Sequence, residues 1–128
     1  PYAAPRYGEA TLHLSELCAA LETGDMKTFI RVVEQEALQL HAMMMLSNPY
    51  FILMRPATLS VIEAVWAFRA ETGIPLMFTL DAGANVHLLF PKVNYQQVKN
   101  LIDHQLLIYC QNNQYFCSDL GSAPIKIQ

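Results

Sequence analysis

Residues 76–90, LMFTLDAGANVHLLF, carry two apolar runs separated by the small residues Ala82-Gly83-Ala84-Asn85. Such a stretch reads as two short strands, about 76–81 and 86–90, joined by a tight loop. Alternation along the first strand puts Met77, Thr79 and Asp81 on one face and Leu76, Phe78 and Leu80 on the other. A carboxylate therefore closes a strand that is apolar on at least one side. It must sit exposed at the sheet's edge or be held by donors, because burying it unpaired is costly. Gly83, flanked by two alanines, permits left-handed torsions and the close approach of a ligand or backbone. Two readings are open: Asp81 caps a hairpin turn, or it is a catalytic acid on a rigid support. Spacing alone favours the capped turn.

The segments around this hairpin read mostly as helices. Residues 8–22, with Leu12, Leu14, Leu17, Cys18 and Leu21 apolar, predict a first helix that stops at Gly24. Asp25 then stands as the N-cap of a helix running to about residue 46. Met26, Phe29, Ile30, Val33, Ala37, Leu40, His41 and Met44 follow helical spacing as one stripe, with Glu34, Glu36 and Gln39 off it. Met43-Met44-Met45 makes the end apolar all round and predicts deep burial. Asn48-Pro49 breaks the helix, and residues 50–54 read as a short strand or a buried connection. Pro56 suits the first turn of another helix, which buries Val61, Ile62, Val65, Trp66 and Phe68 and ends at Gly73. Beyond the hairpin, a helix from about Asn94 or Tyr95 to His104 turns Val98, Leu101 and Ile102 inward. A last β pair is expected at 106–110 and 115–118, turning at Gln111-Asn112-Asn113-Gln114. Helices and antiparallel-looking strands in this order predict an α+β two-layer sandwich, with helices on one face of an antiparallel sheet. No repeat or linker divides the chain, so residues 1–128 read as a single domain.

Composition bounds the function. Of 128 residues, 53% are hydrophobic and only 15% charged, where average usage is about a quarter charged. Some apolar surface therefore calls for cover by a second copy (a homodimer), a missing domain or a ligand. A net charge of −3 without a basic patch argues against nucleic acid. No apolar run reaches the roughly 18–20 residues that cross a membrane, and the first residues lack a signal-peptide pattern. Cys18, Cys110 and Cys117 have no metal spacing and read as buried thiols in a reducing compartment. The expected location is cytoplasmic. His41, on an apolar stripe, reads as a hydrogen-bonded core residue. His13, His87 and His104 lie on other elements without HxxH or HExxH spacing, so no metal site is expected. Neither a GxSxG nucleophile motif nor a Gly-rich phosphate loop occurs. Any phosphate-binding elements must lie elsewhere.

Three stretches carry a family resemblance: PYAAPRYGEA (1–10), EALQLHAMMMLSNPYFILMRPATLSVIEAVWAFR (36–69) and TGIPLMFTLDAGANVHLLFP (72–91). With the D-A-G-x-N segment as its most specific piece, the sequence resembles the C-terminal part of the diphosphomevalonate decarboxylases, members of the GHMP kinase superfamily. The resemblance implies a ferredoxin-like C-terminal domain. It also implies an enzyme that uses ATP and Mg²⁺ to phosphorylate the tertiary hydroxyl of mevalonate 5-diphosphate. Loss of phosphate and CO₂ then gives isopentenyl diphosphate. The family's catalytic aspartate falls on Asp81, where it would orient or deprotonate that hydroxyl. Ala82, Gly83, Ala84 and Asn85 would line the substrate, with Asn85 tying the loop down. The family's ATP loop, its phosphate-contacting residues and a catalytic arginine belong to an N-terminal domain that these residues do not include. The expectation is thus a C-terminal domain fragment, inactive by itself and binding no cofactor tightly. Two rivals stay open: a non-catalytic α+β binding or oligomerisation module, and the C-terminal domain of a GHMP kinase that does not decarboxylate.

Overall fold

Secondary structure in the computed structural model is described for residues 24–81, 85–115 and 122–127. The predicted helix at 8–22 lies outside them. The chain divides into two compact units, residues 1–53 and 54–128.

In the first unit, helix α1 spans Met26–Leu46. Asp25 caps it as expected: its carboxylate accepts from the Thr28 backbone N–H at 3.2 Å and from the Thr28 hydroxyl at 2.6 Å. The hydroxyl foremost, then the backbone N–H, holds the Asp25 carboxyl below its ordinary range. The buried stripe is Val32, Glu34, Ala37, His41 and Met44. This corrects two expectations. Glu34 is 7% exposed and so belongs to the buried face, which keeps Ala37, His41 and Met44 of the predicted stripe and adds Val32 and Glu34 at its edges. Met43 and Met45 are half-buried and Leu46 is exposed, because three successive helical residues point in three directions and only one faces the support. The helix ends at Ser47, whose hydroxyl donates to the Met44 carbonyl at 2.9 Å. Phe51 N–H returns to that carbonyl at 3.1 Å. Residues 50–54 are neither a strand nor a buried connection: they carry no regular structure, and Tyr50, Phe51 and Ile52 are exposed.

The second unit is a helix-covered antiparallel sheet. Helix α2 spans Pro56–Thr72, opened by Pro56 after an extended Arg55 and closed by Gly73 in the left-handed region at φ 72°. Strand β1 is Met77–Leu80 and β2 is Asn85–Leu89. Helix α3, Tyr95–Leu101, runs on as a π-helical turn over Ile102–Leu106 and a 3₁₀ turn over Leu107–Tyr109. Strands β3, Cys110–Tyr115, and β4, Ser122–Ile127, complete a sheet of order β1-β2-β4-β3 in which every pair is antiparallel.

The register sorts the faces. Phe78 pairs with Leu88 and Leu80 with Val86, so these four side chains share one face, and all are buried. Helix α2 lies against β1 and β2 on that side. Its Trp66 ring meets Phe78 with centroids 6.1 Å apart and planes tilted by 55°. Trp66 and Phe68 are less buried than predicted, whereas Val61, Ile62 and Val65 are fully inside. Arg69 fastens the end of α2 to the start of the hairpin, its Nη1 donating to the Leu76 carbonyl at 2.9 Å. Val98, Leu101, Ile102 and Leu106 bury the α3 side. Each such side chain contributes about 1.5–3 kcal/mol when it leaves water.

The last β pair departs from expectation. Residues 106–109 continue the helical rod, since a short apolar run fits a buried helix as well as a strand. The Gln111–Gln114 segment, predicted as a turn, lies within β3. That strand is at the sheet's edge, where polar residues are tolerated. Residues 116–118 lie outside the described set. Strand β4 was not expected, because Pro124 argues against an inner strand. In the β-α-β-β-α-β order of a ferredoxin-like fold, α2, β1, β2, α3 and β3 follow in sequence. The strand that should precede α2 is not formed by the described residues, and β4 stands between β2 and β3.

Candidate active site

Asp81 is the first residue beyond β1, and Asn85 is the first residue of β2. Continuing the register past Leu80–Val86 sets Asp81 directly across from Asn85, a separation at which side chains touch. They do: Asn85 Nδ2 donates to Asp81 Oδ2 at 3.1 Å. His87, two residues further along β2, returns to the same face and brings its Nε2 to 3.8 Å from that oxygen. The Asp81 and His87 side chains are 41% and 38% exposed. The carboxylate is thus neither sealed in the core nor loose on a loop. It stands at the end of a strand whose opposite face is bonded into the core, and a donor from the neighbouring strand orients it. Such a group can accept a proton from a hydroxyl brought within hydrogen-bond reach, roughly 2.6–3.2 Å.

Asn85 was expected to tie the loop down; the structure shows it hydrogen-bonded to Asp81 across the hairpin. Ala82, Gly83 and Ala84 lie outside the described residues. His87 was passed over in the sequence because it fits no metal spacing. The signal was there nonetheless, since Asp81, Asn85 and His87 fall on one face once the two strands are paired across the loop. His41 is 1% exposed within α1, as a core histidine should be. Among the described residues no group of three His, Cys, Asp or Glu side chains could hold a metal ion, and no helix is long and apolar enough to cross a membrane. Burial pushes the Cys110 thiol up to about 11, which keeps it protonated and unreactive. Cys18 and Cys117 lie outside the described residues.

Residues 9–127 match the family model of the mevalonate 5-diphosphate decarboxylase C-terminal domain. The chain belongs to this family. Among solved structures, the mevalonate diphosphate decarboxylase of Enterococcus faecalis superposes with a TM-score of 0.77 at 25% identity, covering 97% of this chain and 35% of that one. The Staphylococcus aureus mevalonate diphosphate decarboxylase superposes with a TM-score of 0.75 at 26% identity, covering 100% of this chain and 35% of that one. A phosphomevalonate decarboxylase of Haloferax volcanii is 26% identical over 89 residues, 70% of this chain and 28% of that protein. The chain thus spans about a third of the length of the decarboxylases it resembles. One further similar structure, again with a TM-score of 0.77, is a complex of MDDEF with MVAPP, AMPPCP and magnesium. Membership in the decarboxylase family accords with the α+β architecture.

Proposed function

We propose that this chain is the C-terminal, substrate-side domain of an ATP-dependent mevalonate diphosphate decarboxylase, with Asp81 as its proton acceptor. The observation that carries this reading is the Asp81 carboxylate, half-exposed at a strand end and oriented by Asn85 at 3.1 Å. The family match supports the reaction class, and the solved complex with MVAPP, AMPPCP and magnesium supports ATP as co-substrate in the full-length enzyme.

In this reading Asp81 takes the proton of the tertiary hydroxyl as its oxygen bonds to the γ-phosphorus of ATP and ADP departs. The protein's task in such a transfer is positioning and electrostatics, which a side chain on a strand end performs better than one on a free loop. The C–O bond to the new phosphate then breaks, and the C–C bond to the carboxylate supplies the electron pair for the alkene as CO₂ leaves. Asn85 keeps Oδ2 turned toward β2, and the residues at 82–84 are assigned to the substrate's approach. The described residues form no cluster fit to hold Mg²⁺, and no step is assigned to the metal on them. ATP and Mg²⁺ are assigned to a preceding domain of the full-length enzyme.

The test is Asp81→Asn and Asp81→Ala in the full-length enzyme, with ADP formation and CO₂ release followed on mevalonate 5-diphosphate and mevalonate 5-phosphate. General-base catalysis contributes about 10²–10⁴-fold, so both variants should lose turnover on that scale while ATP binding stays intact. Near-normal turnover in either variant would sink the assignment. ADP without CO₂ from the wild type would identify a kinase. Faster decarboxylation of the monophosphate would assign it the substrate in the name of the Haloferax volcanii relative.

A further inference from the structure

Asp81 and Asn85 do not account for the whole polar face of the hairpin. His87 shares that face by alternation along β2, stands across from Thr79, and is therefore diagonal to Asp81. Its Nε2 approaches Oδ2, the oxygen that already accepts from Asn85. A carboxylate held by one donor can still rotate about its Cβ–Cγ bond. A donor and a second polar neighbour at successive same-face positions of one strand restrict that rotation.

Resting on the reading of Asp81 as proton acceptor, we propose that His87 is a positioning residue, which with Asn85 draws Oδ2 toward β2 and fixes the plane of the carboxylate for the substrate hydroxyl. The 3.8 Å separation exceeds a hydrogen bond, and contacts of this kind tighten when substrate is bound. In this role His87 acts through Asp81, so its removal should affect the chemical step and not substrate binding.

The experiment is steady-state kinetics of full-length His87→Ala and His87→Gln. His87→Ala should lower kcat about tenfold, with KM for ATP and for mevalonate 5-diphosphate within about twofold of wild type, because a misplaced catalytic group slows chemistry without weakening binding. His87→Gln restores a donor and should recover most of the loss. In an Asp81→Asn background, His87→Ala should add no further loss, since the two residues act as one unit. A His87→Ala enzyme with wild-type kcat overturns the proposal, as does a raised KM at unchanged kcat, which would make His87 a substrate contact. A loss that Gln does not restore, with a lowered melting temperature, also overturns it. These outcomes leave Asp81 standing, whereas full activity in Asp81→Asn removes the premise itself.

Discussion

Replacing Asn85 by Asp turns the hydrogen bond across the hairpin into a like-charge pair, and two independent observables follow. In the native pair the Asn85 amide donates to Asp81 Oδ2 at 3.1 Å. A hydrogen bond to a charged group contributes roughly 1.5–3 kcal/mol when buried, and at 41% exposure of Asp81 solvent screening reduces this to about 1 kcal/mol. Asn85→Ala should therefore cost about 1 kcal/mol of stability where Asp81 is ionised, and less as acid protonates it. Asn85→Asp loses the same bond and adds repulsion of about 1–4 kcal/mol for charges some 4 Å apart between aqueous and protein-surface screening. That repulsion pushes the titration of the coupled pair upward, as a property of the pair and not of either residue. The sign follows. Carboxylates raised in the folded state destabilise it at high pH, and the penalty disappears as pH falls and the pair takes up a proton. Activity moves the other way: Asp81 must be ionised to accept a proton, so the acid limb of the pH–rate profile should shift to higher pH. Thermal unfolding and kcat of the wild type, Asn85→Ala and Asn85→Asp, measured from acid to mildly basic pH in the full-length enzyme, give both readouts. Superimposable pH profiles for Asn85→Ala and Asn85→Asp would refute the reasoning, for they would show that residue 85 is not beside the Asp81 carboxylate.

Leu88 is fully buried beside Phe78, so Leu88→Ala should cost about 2–5 kcal/mol in denaturant unfolding and lower the midpoint without changing the slope. The hydrogen bond from Lys99 at 2.6 Å, then that from Tyr115, holds the Asp103 carboxyl below its ordinary range. A depressed carboxyl adds stability above its unfolded value that is lost as pH falls through the folded one, so Lys99→Met should flatten the acid limb of the stability–pH curve, as read by NMR titration of Asp103 and by unfolding at two pH values.

Legibility in the sequence tracked how local the determinants were. The Asp25 cap, Pro56 at a helix start, Gly73 at a helix end and the hairpin at 76–90 are each set by neighbours within a few residues, and all are found. The cap depends on one side chain and two donors three residues away. The Asp81–Asn85 contact was not read from the sequence, because it depends on β2 starting at Asn85 and on the register of the pair. The failures are nonlocal. Whether Leu106–Tyr109 joined a helix or a strand depended on what α3 packs against, and periodicity cannot see that. Strand β4 was hidden by Pro124, and the pairing of polar Gln111–Gln114 depended on that unseen partner. Glu34 was missed because it lies at the edge of the apolar stripe, where the packing partner and not periodicity decides what is inside. Asp81's role came from a family resemblance, while His87 needed the paired strands to be seen together.

The order β1-β2-β4-β3 has a consequence for how the sheet comes into being. Strands β2 and β3 each bond to β4 and not to each other, so residues 122–127 act as a keystone. The β1–β2 hairpin can form early from local contacts, but the β2–β4 pairing closes a long loop and must come late. On a ribosome, β3 waits unpaired until that segment emerges. A truncation just before Ser122 would leave the hairpin intact and make that exposure permanent, so aggregation and not loss of Asp81 would be its first symptom.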